Sequence, residues 1–196
     1  KYTIDHFGLD AKVQVNLIGL LVSCAILGCI PGSMAAGPLS DRFGPKRILI
    51  MAAVFYLISA LGAAFPGRLS GFIVYRFLGG LGVGAASMLS PLYIAEVSPA
   101  HIRGRLVSLN QLAIISGILL AFVASFFFKD LAENWRWMFG SESVVALLFF
   151  CVLLAIPESP RWLTKQGREN EAIGIMARVG GDRKSTRLNS SHDQNS

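Results

Sequence analysis

The sequence is poor in charge, in cysteine and in histidine. Only 15% of its 196 residues are Asp, Glu, Lys or Arg, and it contains three cysteines and three histidines. The cysteines lie inside apolar runs and have neither the spacing of a metal site nor that of a disulfide framework. The histidines are scattered along the chain. We therefore predict no metal site, no cofactor and no disulfide-stabilised fold.

The chain contains several long apolar runs. Hydrophobic residues make up 53% of the chain, and a soluble domain would not string them into runs of this length. Residues 17–36 and 48–65 contain no charge. Each run has about the ~20 residues that a helix needs to cross a ~30 Å hydrocarbon layer. Residues 37–47, between them, are predicted to form a short charged turn that joins two antiparallel membrane helices.

The same pattern continues along the chain and predicts an all-α membrane protein with five transmembrane helices. The predicted spans are 15–36, 48–65, 69–95, 106–128 and 137–156. Gly28 and Gly32 in the first span have the spacing of small residues that lets another helix approach closely. A short amphipathic helix in the cytoplasm is predicted over residues 169–179.

The distribution of basic residues predicts the orientation. Most lysines and arginines outside the spans fall in segments 37–47, 96–105 and 157–179, which the positive-inside rule places in the cytoplasm. The net charge of +6 therefore reflects topology, and we predict no nucleic-acid partner. Five spans place Lys1 outside the cell and Val179 inside it. The chain starts without a methionine, and we expect it to be a fragment.

Residues 183–196 differ in composition from the rest of the chain. Leu188 is their only large apolar residue, so this segment is expected to be disordered. Residues 183–192 resemble translated sequencing-adapter DNA, and the segment is either non-native or an ordinary flexible tail. Residues 1–182 are predicted to form one partial transmembrane half of a carrier.

Several short motifs follow one another along the chain. They are Gly37-x-Leu39-Ser40-Asp41-Arg42-x-Gly44-x-Lys46-Arg47, Pro91-x-Tyr93-x-x-Glu96-x-Ser98-Pro99, Arg103-Gly104, Asn110-Gln111-Leu112, Trp135-Arg136 and Pro157-Glu158-Ser159-Pro160-Arg161-Trp162-Leu163. In this order they resemble the sugar porter family of the major facilitator superfamily, over about residues 7–179. Pro45 departs from the family pattern, which usually has a basic residue there. The resemblance implies spans two to six of twelve, so the first span and the C-terminal half would be missing and this chain alone inactive.

Arg76 is the one charge inside the third predicted span. At ~1.5 Å per residue it lies roughly 10 Å from the outer end of that span, where an arginine costs about 2.5–3.5 kcal/mol on insertion scales. It either extends to the outer interface or faces the cavity and pairs with a carboxylate. In the proton-coupled carriers that the chain resembles, this carboxylate lies on the first span. Proton symport and facilitated diffusion therefore both stay open.

A set of charges is predicted at the cytoplasmic face. It consists of Asp41, Arg42, Arg47, Glu96, Arg103, Glu158 and Arg161. One interpretation is that they are solvated loop charges, since exposed ion pairs contribute only about 0–1 kcal/mol. The resemblance implies another, a network of salt bridges that closes the cytoplasmic side and breaks during transport.

Gln111, on the fourth span, is the predicted substrate contact, with Ile115 and Ile118 beside it. An amide on an otherwise apolar helix face can both donate hydrogen bonds to sugar hydroxyls and accept them. A hydrogen bond between helices is the alternative role. Some members of the family that the chain resembles have a second glutamine at the position of Ile118, so the identity of the sugar stays open.

The combined prediction is a multi-pass protein of the cell membrane that transports a sugar by alternating access. Its partners would be the sugar, protons in the symport case, the lipid bilayer and the missing half of the carrier. The alternatives are a carrier of a non-sugar organic solute or ion, and a membrane fragment or sensor without transport.

Gly80-x-Gly82-x-x-Ala85 mimics a nucleotide-binding fingerprint, but it lies inside a span with no preceding strand. We therefore predict no enzymatic activity.

Overall fold

The computed structural model describes residues 11–64, 69–99, 101–128 and 134–180. This part of the chain folds into helices and contains no strand. The helices are α1 (Ala11–Phe43), α2 (Pro45–Ala64), α3 (Leu69–Val97), α4 (Arg103–Phe128), α5 (Asn134–Ala155), α6 (Pro160–Lys165) and α7 (Glu169–Gly180). The predicted start of the chain at Lys1 and the predicted tail at 183–196 lie outside the described residues.

The first five helices are the membrane helices. Four of them contain a stretch that is long and apolar enough to cross a bilayer, and α5 contains a shorter apolar stretch, Gly140–Ala155. The four stretches are Ser23–Phe43, Pro45–Ala63, Ser70–Val97 and Arg103–Phe127. The prediction of an all-α membrane protein is confirmed, with a helix at each predicted span.

The junction between α1 and α2 is much tighter than predicted, and the expectation of a turn over residues 37–47 is wrong. Helix α1 continues through Pro38 to Phe43, and only Gly44, with a φ of +94°, separates it from α2. One left-handed glycine is enough to end a helix. Pro45 then starts α2, where its fixed φ suits a first helical residue. Asp41 therefore belongs to the last turn of α1 and not to a flexible loop.

Glycines let α1 and α3 pack with their backbones in contact. A side chain at Gly28 or Gly32 would overlap the carbonyl oxygens of Phe77 and Leu81, and one at Gly80 would overlap that of Ala25. The close approach predicted from the spacing of Gly28 and Gly32 is confirmed. Small residues have this role in membranes because helices there associate through packing and not through exclusion of water.

The core lies next to the α1–α2 junction. Ala36 of α1, Leu49 of α2, Leu89 of α3 and Leu153 of α5 are all buried there. Helix α4 is different, since none of its apolar stretch Arg103–Phe127 is buried. Helices α1, α2, α3 and α5 therefore form a packed core, whereas the apolar side chains of α4 are exposed.

Helices α6 and α7 form a small separate layer beyond the membrane helices. Trp162 and Leu163 of α6 pack on Ala172 of α7 and are buried with it. Gly167, with a φ of +73°, turns the chain between the two helices. Helix α7 lies where the amphipathic pattern predicts a helix. This layer brings the segment after α5 back against the ends of α1, α2 and α3.

Candidate functional site

The connection from α5 into α6, here called the 157–162 segment, contacts Asp41 of α1 and Glu96 of α3. The segment and the residues in contact with it are here called the cytoplasmic cluster, after the face at which the sequence predicts their charges. Ser159 has an extended backbone and caps α6, since its hydroxyl accepts a hydrogen bond from the amide of Trp162 at 3.3 Å. Pro160 follows at the start of the helix. Serine before a helix and proline at its first position are the residues that this geometry favours. The local sequence thus starts a new helix directly after α5.

Glu158 binds the N-terminus of α2. Its Oε1 accepts hydrogen bonds from the amide of Lys46 at 3.0 Å and from the amide of Ser159 at 3.2 Å. A carboxylate is stabilised there because the first amides of a helix are free and carry partial positive charge. Gly44 leaves the necessary space, since a Cβ on it would lie 3.0 Å from the carboxyl carbon of Glu158. Within the described residues, the partner of Glu158 is a helix end and not a basic side chain.

Glu96, in the last turn of α3, meets the same segment from the other side. Its Oε2 accepts a hydrogen bond from the Ser159 hydroxyl at 2.6 Å, and its Oε1 lies 4.0 Å from a guanidinium nitrogen of Arg161. The Glu96 side chain is 15% exposed, whereas that of Arg161 is 69% exposed. The structure therefore brings these two predicted residues together, with the carboxylate held more firmly than the arginine.

Asp41 and Trp162 make a third connection. The Trp162 indole donates a hydrogen bond to the backbone carbonyl of Asp41 at 3.0 Å. The Asp41 carboxylate pairs with Lys165 at 3.2 Å, but both side chains are more than half exposed. Water screens such a pair, so it contributes about 0–1 kcal/mol. The buried indole is the stronger connection between α1 and α6.

Three predicted arginines stand apart from these contacts. Arg42 lies over the ring of Phe43, with 5.3 Å from its guanidinium carbon to the ring centroid. Arg47 and Arg103 are exposed and form no ion pair with another described residue. Arg103 lines a cavity of about 310 Å³ together with Glu96 and Arg161. Their guanidinium groups can therefore pair with groups outside the described residues.

Sequence reasoning missed several contacts that hold the cluster together. Ser159 links Glu96 to α6, and the Tyr93 hydroxyl donates to the carbonyl of Pro157 at 2.7 Å. The Lys46 side chain donates to the carbonyl of Leu154 at 3.3 Å. The pair Ser159-Pro160 is a local sequence signal for the start of a helix. No local pattern, however, reveals which distant carbonyl a tyrosine or lysine will contact.

Substitution of Gly44 tests the contact between the Glu158 carboxylate and the N-terminus of α2. We expect Gly44→Ala to lower the melting temperature of the chain in detergent, because a Cβ would displace the carboxylate from the α2 N-terminus. Left-handed backbone at an alanine costs roughly 1–2 kcal/mol, and an unpaired buried group costs about 1–3 kcal/mol more.

The matched control for Gly44 is Gly167→Ala. Gly167 also has a positive φ, but nothing lies within 4 Å of a Cβ placed on it. The difference between the two variants therefore isolates the contact with Glu158. Equal losses of melting temperature would show that the Glu158 contact contributes nothing.

Within the membrane, Arg76 lies among polar groups from two other helices. Tyr56 of α2 interacts with both Glu142 of α5 and Arg76 of α3. The Arg76 guanidinium carbon is also 6.0 Å from the centroid of the Phe72 ring. Sequence reasoning identified the arginine, but it did not connect Arg76 with Glu142 and missed Tyr56.

Gln111, Ile115 and Ile118 lie exposed on one face of α4. Their spacing of four and three residues places them side by side. Gln111 forms no hydrogen bond to another helix within the described residues. Its amide is therefore free to bind a ligand on that face.

Comparison with known proteins gives consistent matches. The family model described as "Sugar (and other) transporter" matches residues 2–194. The D-xylose-proton symporter of Escherichia coli is 42% identical over 89% of this chain and 40% of its own length. The glucose transport protein of Synechocystis is 46% identical over 90% of this chain and 40% of its own length.

Solved structures agree with the sequence matches. The proton:xylose symporter XylE of the major facilitator superfamily, bound to 6-bromo-6-deoxy-D-glucose, superposes with a TM-score of 0.84 at 41% identity. The match covers 92% of this chain and 43% of that one. The chain thus spans about 40% of the length of the relatives that it matches. It belongs to the sugar transporter family of the major facilitator superfamily.

Proposed function

We propose that the chain is part of a cell-membrane carrier that moves a sugar by alternating access. The observation that carries the proposal is the exposure of α4, none of whose apolar stretch is buried. An amide, Gln111, lies there without a partner on another described helix, beside Ile115 and Ile118. Relatives named for xylose and glucose transport match about nine tenths of the chain.

The chemistry of this face suits a sugar. Sugar hydroxyls lose water on entering a cavity and need both donors and acceptors, which an amide supplies. The isoleucines offer apolar surface to the C–H groups of the ring. In carriers of this kind the substrate lies between two halves that rock about it. We propose that residues 1–182 belong to one half and that the other half completes the cavity wall.

The cytoplasmic cluster supplies a device for closing one side of such a carrier. Glu158 and Glu96 are held by an amide and a hydroxyl at 3.0 and 2.6 Å, so we assign them to the permanent frame of this half. Arg47 and Arg103 are exposed and unpaired within the described residues, so we assign them to contacts that form and break. Weak, solvated pairs suit this role because each transport cycle must open them again.

The polar group around Arg76 supports a link to protons. Tyr56 and Glu142 from two helices share a hydrogen bond there, and Arg76 from a third helix interacts electrostatically with Tyr56. Ionisable groups at membrane depth mark ion and proton pathways. None of these roles needs covalent chemistry, and we propose no enzymatic activity.

Uptake by the purified complete carrier in liposomes tests the proposal. Labelled D-xylose and D-glucose should enter saturably, and an inward proton gradient should raise the accumulation if Arg76 and Glu142 belong to a proton pathway. Saturable uptake without any effect of the gradient would assign facilitated diffusion. Absence of saturable uptake of either sugar would overturn the proposal.

A cyclic polyol is the second candidate substrate. A probable inositol transporter of Arabidopsis thaliana is 42% identical over 82% of this chain. An inositol offers the same ring of hydroxyls to Gln111 as a sugar does. Competition of unlabelled inositol against labelled glucose distinguishes the two, since a carrier of inositol would be blocked at lower concentrations of inositol than of glucose.

A further inference from the structure

The side chain of Ser159 is fully buried and forms two hydrogen bonds. Its relative exposure is 0%. A hydroxyl has one proton to donate and lone pairs to accept with. The proton goes to Oε2 of Glu96 at 2.6 Å, and a lone pair accepts the Trp162 amide at 3.3 Å. One small side chain therefore starts α6 and also binds the carboxylate at the end of α3.

The first of these bonds fixes the orientation of Glu96. A hydroxyl-to-carboxylate bond of 2.6 Å is in the short range typical of a charged acceptor. With Oε2 held, Oε1 is directed toward Arg161 at 4.0 Å. Arg103 lines the same cavity of about 310 Å³. The carboxylate is thus presented to Arg161 at the outer limit of an ion pair, beside a cavity that Arg103 also lines.

We infer that Ser159 is a positioning residue for the closure of the cytoplasmic side. Its hydroxyl holds Glu96 in one orientation, so that α6 and the end of α3 move as one body while the arginines that line the cavity change partners. This inference rests on the proposed transport function, and it assigns a specific role to a residue outside the set of charges. Ser159 acts through Glu96 and does not touch the sugar.

Removing the hydroxyl should change turnover and not sugar affinity. In the complete carrier, Ser159→Ala is expected to lower the maximal uptake rate by about 10-fold, the order expected for a lost hydrogen bond to a charged group. The sugar dissociation constant should stay within about 2-fold. Ser159→Thr keeps the donor and the acceptor and should restore most of the rate.

Ser98→Ala is the matched control for the loss of a buried hydroxyl. Ser98, directly after α3, is buried as well, but its hydroxyl bonds only the carbonyl of Ile94 in the last turn of α3. The control should keep the rate of the unmodified carrier. A loss equal to that of Ser159→Ala would mean that any buried serine in this region has the same effect, and would overturn the inference.

A double-mutant cycle with Glu96→Gln separates positioning from simple capping of α6. If Ser159 acts through Glu96, adding Ser159→Ala to Glu96→Gln should lower the rate by less than about 2-fold further. If Ser159 only caps α6, the two losses should multiply, and the inference would be wrong. A wild-type carrier without sugar uptake would instead reject the proposed function, so the two failures are distinguishable.

Discussion

Gln111→Ala is expected to weaken sugar binding by roughly 5- to 150-fold in the complete carrier, with normal insertion and abundance. The amide is exposed on α4 and bonds no other described helix, so its loss should leave the packing intact. Hydroxyls of the bound sugar would then stay unpaired in a desolvated cavity, which costs about 1–3 kcal/mol. Equilibrium binding of labelled sugar to the purified variant measures the loss.

The control for Gln111 is Leu109→Ala on the same helix. Leu109 is exposed as well, but at 3.6 residues per turn it lies about a third of a turn or more from Gln111, Ile115 and Ile118. Its truncation should leave the sugar dissociation constant nearly unchanged. If Gln111→Ala kept full affinity and instead lowered the melting temperature, Gln111 would bridge helices and would no longer be a candidate substrate contact.

Gly80→Val is expected to cause the largest loss of folded protein. A Cβ at Gly80 would overlap the carbonyl oxygen of Ala25 and approach the Cα of Gly28 at 3.0 Å. These are backbone atoms, which no rotamer change can move, so α1 and α3 must separate. Overpacking costs typically about 1–3 kcal/mol, and loss of the α1–α3 contact should exceed that range. Folded yield and melting temperature in detergent report the effect.

Gly117→Val separates packing from helix propensity. Gly117 also lies inside a membrane helix, but nothing is within 4 Å of a Cβ placed on it. Both substitutions introduce the same β-branched side chain into a helix, so their difference measures the contact with α1. Equal melting temperatures would contradict the close packing of α1 on α3.

The sequence was sufficient to predict the membrane helices and one of their contacts. Hydropathy over ~20 residues is a local property, and so is the spacing of Gly28 and Gly32. The end of α1 was mispredicted because Gly37 and Pro38 are local signals for a break. In the structure Ala36 and Ser40 are buried against neighbouring helices, and this packing outweighs the cost of the proline.

The residues of the cytoplasmic cluster were predictable, but their partners were not. Asp41, Glu96 and Glu158 attract attention because charges are rare in this chain. Their partners come from positions far apart in sequence, as with Glu158 and the amide of Lys46. Only the fold brings the start of α2 to the end of α5. Ser159 was missed as a partner of Glu96 for the same reason.

For Arg76 as well, the sequence predicted the position in the membrane but not the interacting residues. Its position in an apolar run predicted an arginine inside the membrane, and the family resemblance implied a carboxylate partner on the first span of the carrier. The structure brings Glu142 and Tyr56 from two other helices into the same group. A linear sequence does not show that α5, which carries Glu142, packs against α2, which carries Tyr56.

Counterflow in liposomes tests the central claim most directly. Vesicles containing the complete carrier are loaded with unlabelled sugar, diluted into a trace of labelled sugar, and followed without any ion gradient. A carrier that alternates between its two sides should accumulate the label transiently above its equilibrium level, because internal sugar returns the binding site to the outside. A pore, or a membrane protein that binds sugar without transporting it, would show no overshoot, and that result would contradict alternating access.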